Sequence, residues 1–149
     1  MNDVDLWNKF CLEKNISINT PYEAWPFGGN PDKLAKLVLD GVKTATASLY
    51  DLYFVDKESE PLPKIGDYSV ILNSKNEAVC IIQTTSLNIV PFDEVSAEHA
   101  YKEGEGDRSL AYWQKVHKEF FEDEIKNYNL IFTSKSKILC EEFVLLYKI

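Results

Sequence analysis

Arginine is almost missing from this chain. Of the 16 basic residues, fifteen are lysines and one, Arg108, is an arginine. The 24 acidic residues outnumber them, and the net charge is −8. A surface of that sign repels long polyanions unless positive charge is concentrated locally. Coating of DNA or of long RNA is therefore disfavoured, whereas a pocket for one nucleoside or a short RNA is not, because a pocket is local. Cysteine is scarce as well. Cys11, Cys80 and Cys140 are odd in number, far apart and form no C-x-x-C pair, the pattern of reduced thiols in a cytoplasmic protein. With only His99 and His117 to join them they do not read as a metal site, and no cofactor is called for. No apolar run has the length needed to span a bilayer, so no membrane partner is expected. The first residues, "MNDVDLW", are acidic and lack the basic stretch of a secretory signal.

What is present suits a folded α+β chain. The 149 residues are 45% hydrophobic and 13% aromatic, enough for the core of one domain spanning 1–149. Residues 2–15 carry Val4, Leu6, Trp7, Phe10 and Cys11 at near-helical spacing, with Asn2 or Asp3 as cap. Residues 20–31, "TPYEAWPFGGNP", read as a loop because of their prolines and the Gly28-Gly29 pair. Residues 30–41 read as a helix: Asn30 caps, Pro31 takes the first turn, Leu34, Leu37 and Val38 make the stripe, and Gly41 ends it. "KTATAS" reads as a short strand, "LYDLYFVDKE" as a turn or short helix, and 59–67 as a loop. Residues 68–73 and 78–90 read as a β-hairpin whose long second strand bends around a barrel. "PFDEV" and "AEHAYKEG" read as helical turns. Asp107 is expected to cap the helix beginning at Arg108, with Leu110, Trp113, Val116, His117 and Phe120 on one side. Residues 137–149 form a closing strand.

Chemistry is concentrated in two stretches. In "LDGVKTATASLY" a lone amine, Lys43, stands among Thr44, Thr46 and Ser48. In a regular strand positions i and i+3 face opposite ways, so Lys43 and Thr46 converge only if the backbone is irregular there, and Gly41 makes that plausible. A convergent lysine walled by apolar groups would have a lowered pKa and could take the threonine proton, making Thr46 a nucleophile. A nearby carboxylate would instead keep the amine charged, and a lysine that simply reaches solvent is the plain alternative. The second stretch, "AEHAYKEGEGDRSL", holds Glu98, Glu103, Glu105, Asp107 and Arg108, with Gly104 and Gly106 around Glu105. It reads either as a solvated acidic loop or as a place where glycines let a ligand approach. Arg108 in a first helical turn would add to the positive helix end and hold an anion, or would only make a salt bridge. His117 reads as a hydrogen-bonded core residue and His99 as a packing or loop-orienting one.

Helix plus "LVLDGVKTATASLYDLY", the strand entry "PLPKIGDYSVIL" and "VPFDEVSAEHAYKEGEGDRSLAYWQKVHKEFF" together resemble the ASCH domain family, in particular its stand-alone bacterial members. The likeness runs from about Trp25 to the C-terminus, with 1–24 as a helical extension. It implies a PUA-like fold, a small β-barrel flanked by helices, with a cleft facing the G-x-K-T-x-T segment. It also implies ligands among RNA and nucleosides, and in some members hydrolysis of acylated cytidine or of RNA. The lysine, threonine and glutamate of the hydrolytic members match Lys43, Thr46 and Glu103, the last by its place four residues after His99. Arg108 and the "EGEGDR" loop depart from the smallest such members.

The resemblance and the residues give one leading expectation. It is a metal-independent hydrolase acting on a nucleoside or RNA-derived substrate. Thr46 would be the nucleophile, Lys43 its activator and Glu103 a proton carrier or orienting group, with Arg108, Trp25, Tyr50, Thr44 and Ser48 as substrate contacts. The alternatives are a non-catalytic RNA-binding module, in which Lys43 and Arg108 meet phosphate and Trp25 stacks a base, a ribonuclease using the same cleft, and a ligand-sensing domain without chemistry.

Overall fold

The computed structural model of the protein describes residues 1–56 and 59–149. Helix α1, Asp3–Lys14, starts where Asn2 accepts a hydrogen bond from the Asp5 amide and stops at Asn15 in the left-handed region. Strand β1, Glu23–Pro26, leads to α2, Pro31–Leu39, which Asn30 caps. Then come β2, Ala45–Leu49, and a 3-10 turn, Tyr50–Phe54. The hairpin of β3, Tyr68–Leu72, and β4, Ala78–Pro91, follows. After a short 3-10 turn at Phe92–Glu94 come α3, Ala97–Glu103, α4, Leu110–Glu124, and the closing strand β5, Lys137–Lys148.

The five strands make one sheet in the order β1-β3-β4-β5-β2. Strands β4 and β5, with 14 and 12 residues, pair from Cys80/Lys148 to Pro91/Lys137 and carry the curvature. Their register shifts at Ile81/Ile82 and again at Thr84/Ser86, and such extra residues bend a strand and increase its twist. The result is a half-barrel, as the length of the 78–90 run predicts. Its two faces follow the alternation of side chains. Val70 and Ile81 pack with Leu6, Trp7, Phe10 and Cys11 of α1, while Ile71, Cys80 and Ile82 pack with Leu34, Ala35 and Val38 of α2. A third cluster holds Trp113 and Phe121 of α4, and Ile125 just after it, against Leu49, Ile138 and Cys140. The three cysteines are free and buried. Among the described residues no helix is long and apolar enough to cross a membrane.

Three local expectations change. Part of the 20–31 loop is a strand: Glu23–Pro26 pairs in parallel with Ser69–Leu72 at the sheet edge. An edge strand tolerates Pro26 because one side of its backbone needs no ladder partner. Val4, expected on the apolar side of α1, is exposed. The cap of α4 is Ser109, whose hydroxyl accepts from the Tyr112 amide, and not Asp107. Asp107 accepts from the Ser109 amide instead. Arg108 lies between them with φ 64°, outside the helix. Residues 57 and 58 of the expected "LYDLYFVDKE" turn lie outside the described residues.

Candidate active site

The route by which Lys43 and Thr46 come to line one cavity lies in the end of α2. Gly41 takes φ 76°, and the amides of Val42 and Lys43 both return to the Leu37 carbonyl, which closes the helix with a reversed turn. The Thr44 amide then donates to the Lys102 carbonyl, so regular strand begins only at Ala45. Lys43 is therefore not bound by strand alternation, and its side chain and that of Thr46 line one cavity of about 340 Å3. That size is in the range of small-molecule sites. Glu103, Glu105, His117, Tyr112, Phe27 and Phe120 are among its other walls.

Glu103 is the anchor of the polar end. It is the last residue of α3 and only 1% exposed. Its Oε2 accepts from Trp113 Nε1 at 2.6 Å and from His99 Nε2 at 2.7 Å. Its Oε1 lies 3.3 Å from His117 Nε2 and 3.5 Å from Lys43 Nζ. Burial alone would push the Glu103 carboxyl up. The charge of Lys43 and the hydrogen bonds from His117 and His99 outweigh it and hold the group well below the usual carboxylate range. Glu103 is thus a fixed anion, already saturated with donors. His117 shows the opposite balance. Burial pushes its pKa down, but the hydrogen bond and charge of Glu103, then the charge of Glu105, raise it overall.

Lys43 is equally enclosed, at 1% exposure. Its Nζ donates to the Ala45 carbonyl at 2.9 Å and lies 3.4 Å from the Glu103 carbonyl. It also lies 3.5 Å from one carboxylate oxygen of Glu103 and one of Glu105, and 5.2 Å from the centre of the Phe27 ring. Every polar neighbour of Nζ is an acceptor, so the group acts here as a donor. Thr46 is different: among the described residues its hydroxyl has no hydrogen-bond partner. It stands at the cavity wall, free to meet a ligand. Glu103, Glu105 and His117 bring ligand atoms within 4.8 Å of one another, a spread that a small cation could bridge. The Lys43 ammonium already lies against both glutamates and answers their charge.

The remaining expected contacts are placed elsewhere. Arg108 is a clamp between segments: Nε donates to the Tyr101 carbonyl at 2.9 Å, a terminal nitrogen donates to the Val42 carbonyl at 3.3 Å, and the guanidinium stacks on the Tyr101 ring at 3.6 Å. Two of its three guanidinium nitrogens donate to backbone, and it does not line the cavity. Trp25 packs edge-on against Phe27 at 4.9 Å behind the wall. Tyr50 sits in the 3-10 turn against Phe54. Thr44 is exposed and reaches the Lys102 carbonyl at 3.5 Å. Ser48 shares a 2.8 Å hydrogen bond with Tyr53 in a separate depression beside Glu124. Residue reasoning marked Glu105 between its glycines without giving it a role, passed over Tyr112, placed Trp113 only on the apolar side of α4 and set His117 aside as core. For Trp113 and His117 the i, i+4 spacing was a usable signal, since it also puts both on one face of α4.

The half-barrel carries its cavity between the loop and first turn that begin α2, Lys43 in the turn after α2, the end of α3 and one face of α4. The family model of the ASCH domain matches residues 23–147. The chain belongs to the ASCH domain family. A solved ASCH domain from Lactobacillus crispatus JV V101 superposes with a TM-score of 0.84 at 29% identity, covering 96% of this chain and 95% of that one. A protein from Enterococcus faecalis V583 gives a TM-score of 0.85 at 33% identity, covering 97% and 87%. No curated protein matches the chain. The α+β, PUA-like fold with flanking helices expected of an ASCH domain is the fold observed, its small barrel being a half-barrel of five strands.

Proposed function

We propose that the cavity is the active site of a hydrolase that cleaves an amide on a nucleoside-sized, uncharged substrate. The observation that carries this reading is the Thr46 hydroxyl, unpartnered among the described residues, in the same cavity as a Lys–Glu–Glu–His charge cluster. A hydroxyl with no competing partner beside a proton-handling cluster is the arrangement nucleophilic catalysis needs.

Lys43 can take the Thr46 proton once it has passed one of its own to a carboxylate it already approaches. Glu105 is the suitable acceptor. Its side chain is 19% exposed, and no partner of its second oxygen is found among the described residues, whereas Glu103 is saturated. These contacts are long at 3.5 Å and would tighten around a bound substrate. Thr46 then attacks the acyl carbon, with the ammonium and its neighbours steadying the developing charge. Phe27, Tyr112 and Phe120 give a planar base apolar walls. Two carboxylates in the cavity and an Arg108 held by backbone weigh against a phosphorylated ligand, although the exposed Lys33 also lines the wall.

The test is turnover of N-acetylcytidine, its 5′-phosphate and a short RNA by the purified protein. Release of cytidine from the first, with the phosphate form at least about tenfold poorer (1.4 kcal/mol of discrimination), is the expected result. Cleavage of RNA with no turnover of the nucleoside would instead establish the ribonuclease alternative.

A further inference from the structure

Both ring nitrogens of His117 face acceptors. Nδ1 lies 2.9 Å from the Trp113 carbonyl oxygen one turn earlier in α4. Nε2 lies 3.3 Å from Glu103 Oε1. A carbonyl oxygen has no proton to give, so Nδ1 carries one. The Glu103 carboxylate, 3.3 Å from Nε2 at ion-pair distance, favours a proton on that nitrogen as well. A neutral imidazole would satisfy one neighbour and turn a lone pair on the other. The ring cannot turn aside, because it is stacked on the Trp113 indole at 4.2 Å and packs against Phe121 at 5.7 Å.

The groups around it agree. Glu103 faces it from the end of α3 and Glu105 from the loop between α3 and α4. Lys43 stands beyond these two carboxylates, 3.5 Å from each. Its own helix offers only the Trp113 carbonyl. The two carboxylates, Glu103 buried and Glu105 partly exposed, outnumber the Lys43 ammonium by one charge, which an imidazolium at His117 answers, and the upward shift of its pKa follows the same balance. His117 is 8% exposed and lines the cavity that Thr46 also lines.

We propose that His117 is an imidazolium in the resting protein and is the acid that protonates the departing nitrogen, which fits the cavity to amides. This rests on the hydrolase reading above. When the tetrahedral intermediate on Thr46 collapses, the C–N bond breaks and its electron pair goes to nitrogen, which takes the Nε2 proton. His117 is left neutral, with its Nδ1 proton still on the Trp113 carbonyl. Water then attacks the acyl group: the new O–C bond forms, the water proton goes to Nε2, and Thr46 leaves with the proton stored on the Lys43–Glu105 pair. The net reaction is amide plus water to carboxylic acid plus amine.

The first measurement is nitrogen NMR of the histidine rings in the unaltered protein. At pH 7.5, a full unit above the ordinary value of about 6.5, His117 is expected to show two protonated nitrogens. A single neutral tautomer overturns the proposal, whatever the activity. The second compares His117→Gln with the parent in first-turnover acylation by N-acetylcytidine and by 4-nitrophenyl acetate, whose phenolate leaves without a proton. The amide is expected to lose about 100-fold or more, and at least about tenfold more than the ester does. Equal losses on both overturn the acid role. A parent that reacts with the ester but not the amide overturns it too. A parent that reacts with neither removes the hydrolase reading and the acid role together, while the ring spectrum still decides the charge state.

Discussion

Lys43 is the residue on which the site's electrostatics turn. Its ammonium is the cation that lets Glu103 stay ionised at 1% exposure, and removing one partner of a buried ion pair leaves the other without compensation. Lys43→Met is therefore expected to lower stability by about 3–5 kcal/mol, read as a shift of the urea midpoint with unchanged slope. Lys43→Met combined with Glu103→Gln should recover part of that loss, because no charge is then left stranded. Much of this residue-level pattern could be read in advance. "GVKTAT" and the histidine–glutamate spacing of α3 pointed to Lys43, Thr46 and Glu103. The saturation of Glu103 could not be read, because two of its donors, Trp113 and His117, come from α4. Each looked like an ordinary member of an apolar stripe. Arg108 was misplaced for a local reason: three polar residues in a row, Asp107, Arg108 and Ser109, each offer a start to α4, and sequence does not say which one enters the left-handed region.

Among the elements, the turns after α2 and α3 do more to build the cavity than the strands. Gly104 ends α3 with φ 77°, and a Cβ there would stand 2.8 Å from the Val42 carbonyl oxygen and 2.9 Å from Val42 Cγ1. Val42 directly precedes Lys43, so this contact sets the two carboxylate-bearing residues on either side of Gly104 against the lysine. Gly104→Ala meets both a disfavoured backbone angle, costing about 1–2 kcal/mol, and a clash with backbone that cannot swing away. The expected outcome is a loss of at least that size in urea unfolding, together with a fall in turnover. Gly41→Ala, which has open space around its Cβ, should show the backbone cost with a smaller effect on turnover. The end of α2 was legible because Asn30, Pro31 and Gly41 each mark a boundary by local chemistry. Strand β1 was not, since its partner β3 lies more than forty residues away and its own sequence holds a proline.

For the whole molecule, the buried charges predict a pH profile of stability. Glu103 has a folded pKa below its unfolded value of about 4.3. Its contribution is present above that value and is lost as pH falls through the folded one. His117 has a folded pKa above its unfolded value of about 6.5. Its contribution is complete below that value and is lost as pH rises through the folded one. Glu141 and Glu124, both raised by burial, also cost stability as they ionise on the way up. The net charge of −8 adds self-repulsion in the same direction. Thermal melting is thus expected to peak at about pH 5–6.5 and decline towards pH 8, and His117→Gln should flatten the alkaline decline. A parent profile that rises steadily to pH 8 would contradict the assigned charges.

The most direct test of the central claim is intact-mass measurement on acid-quenched protein during turnover of N-acetylcytidine. The account predicts an acetyl adduct that peptide mapping places on Thr46 and that is absent from Thr46→Ala, which keeps its fold because the hydroxyl it loses has no internal partner among the described residues. Turnover by Thr46→Ala at the parent rate, with no adduct in either protein, would contradict it.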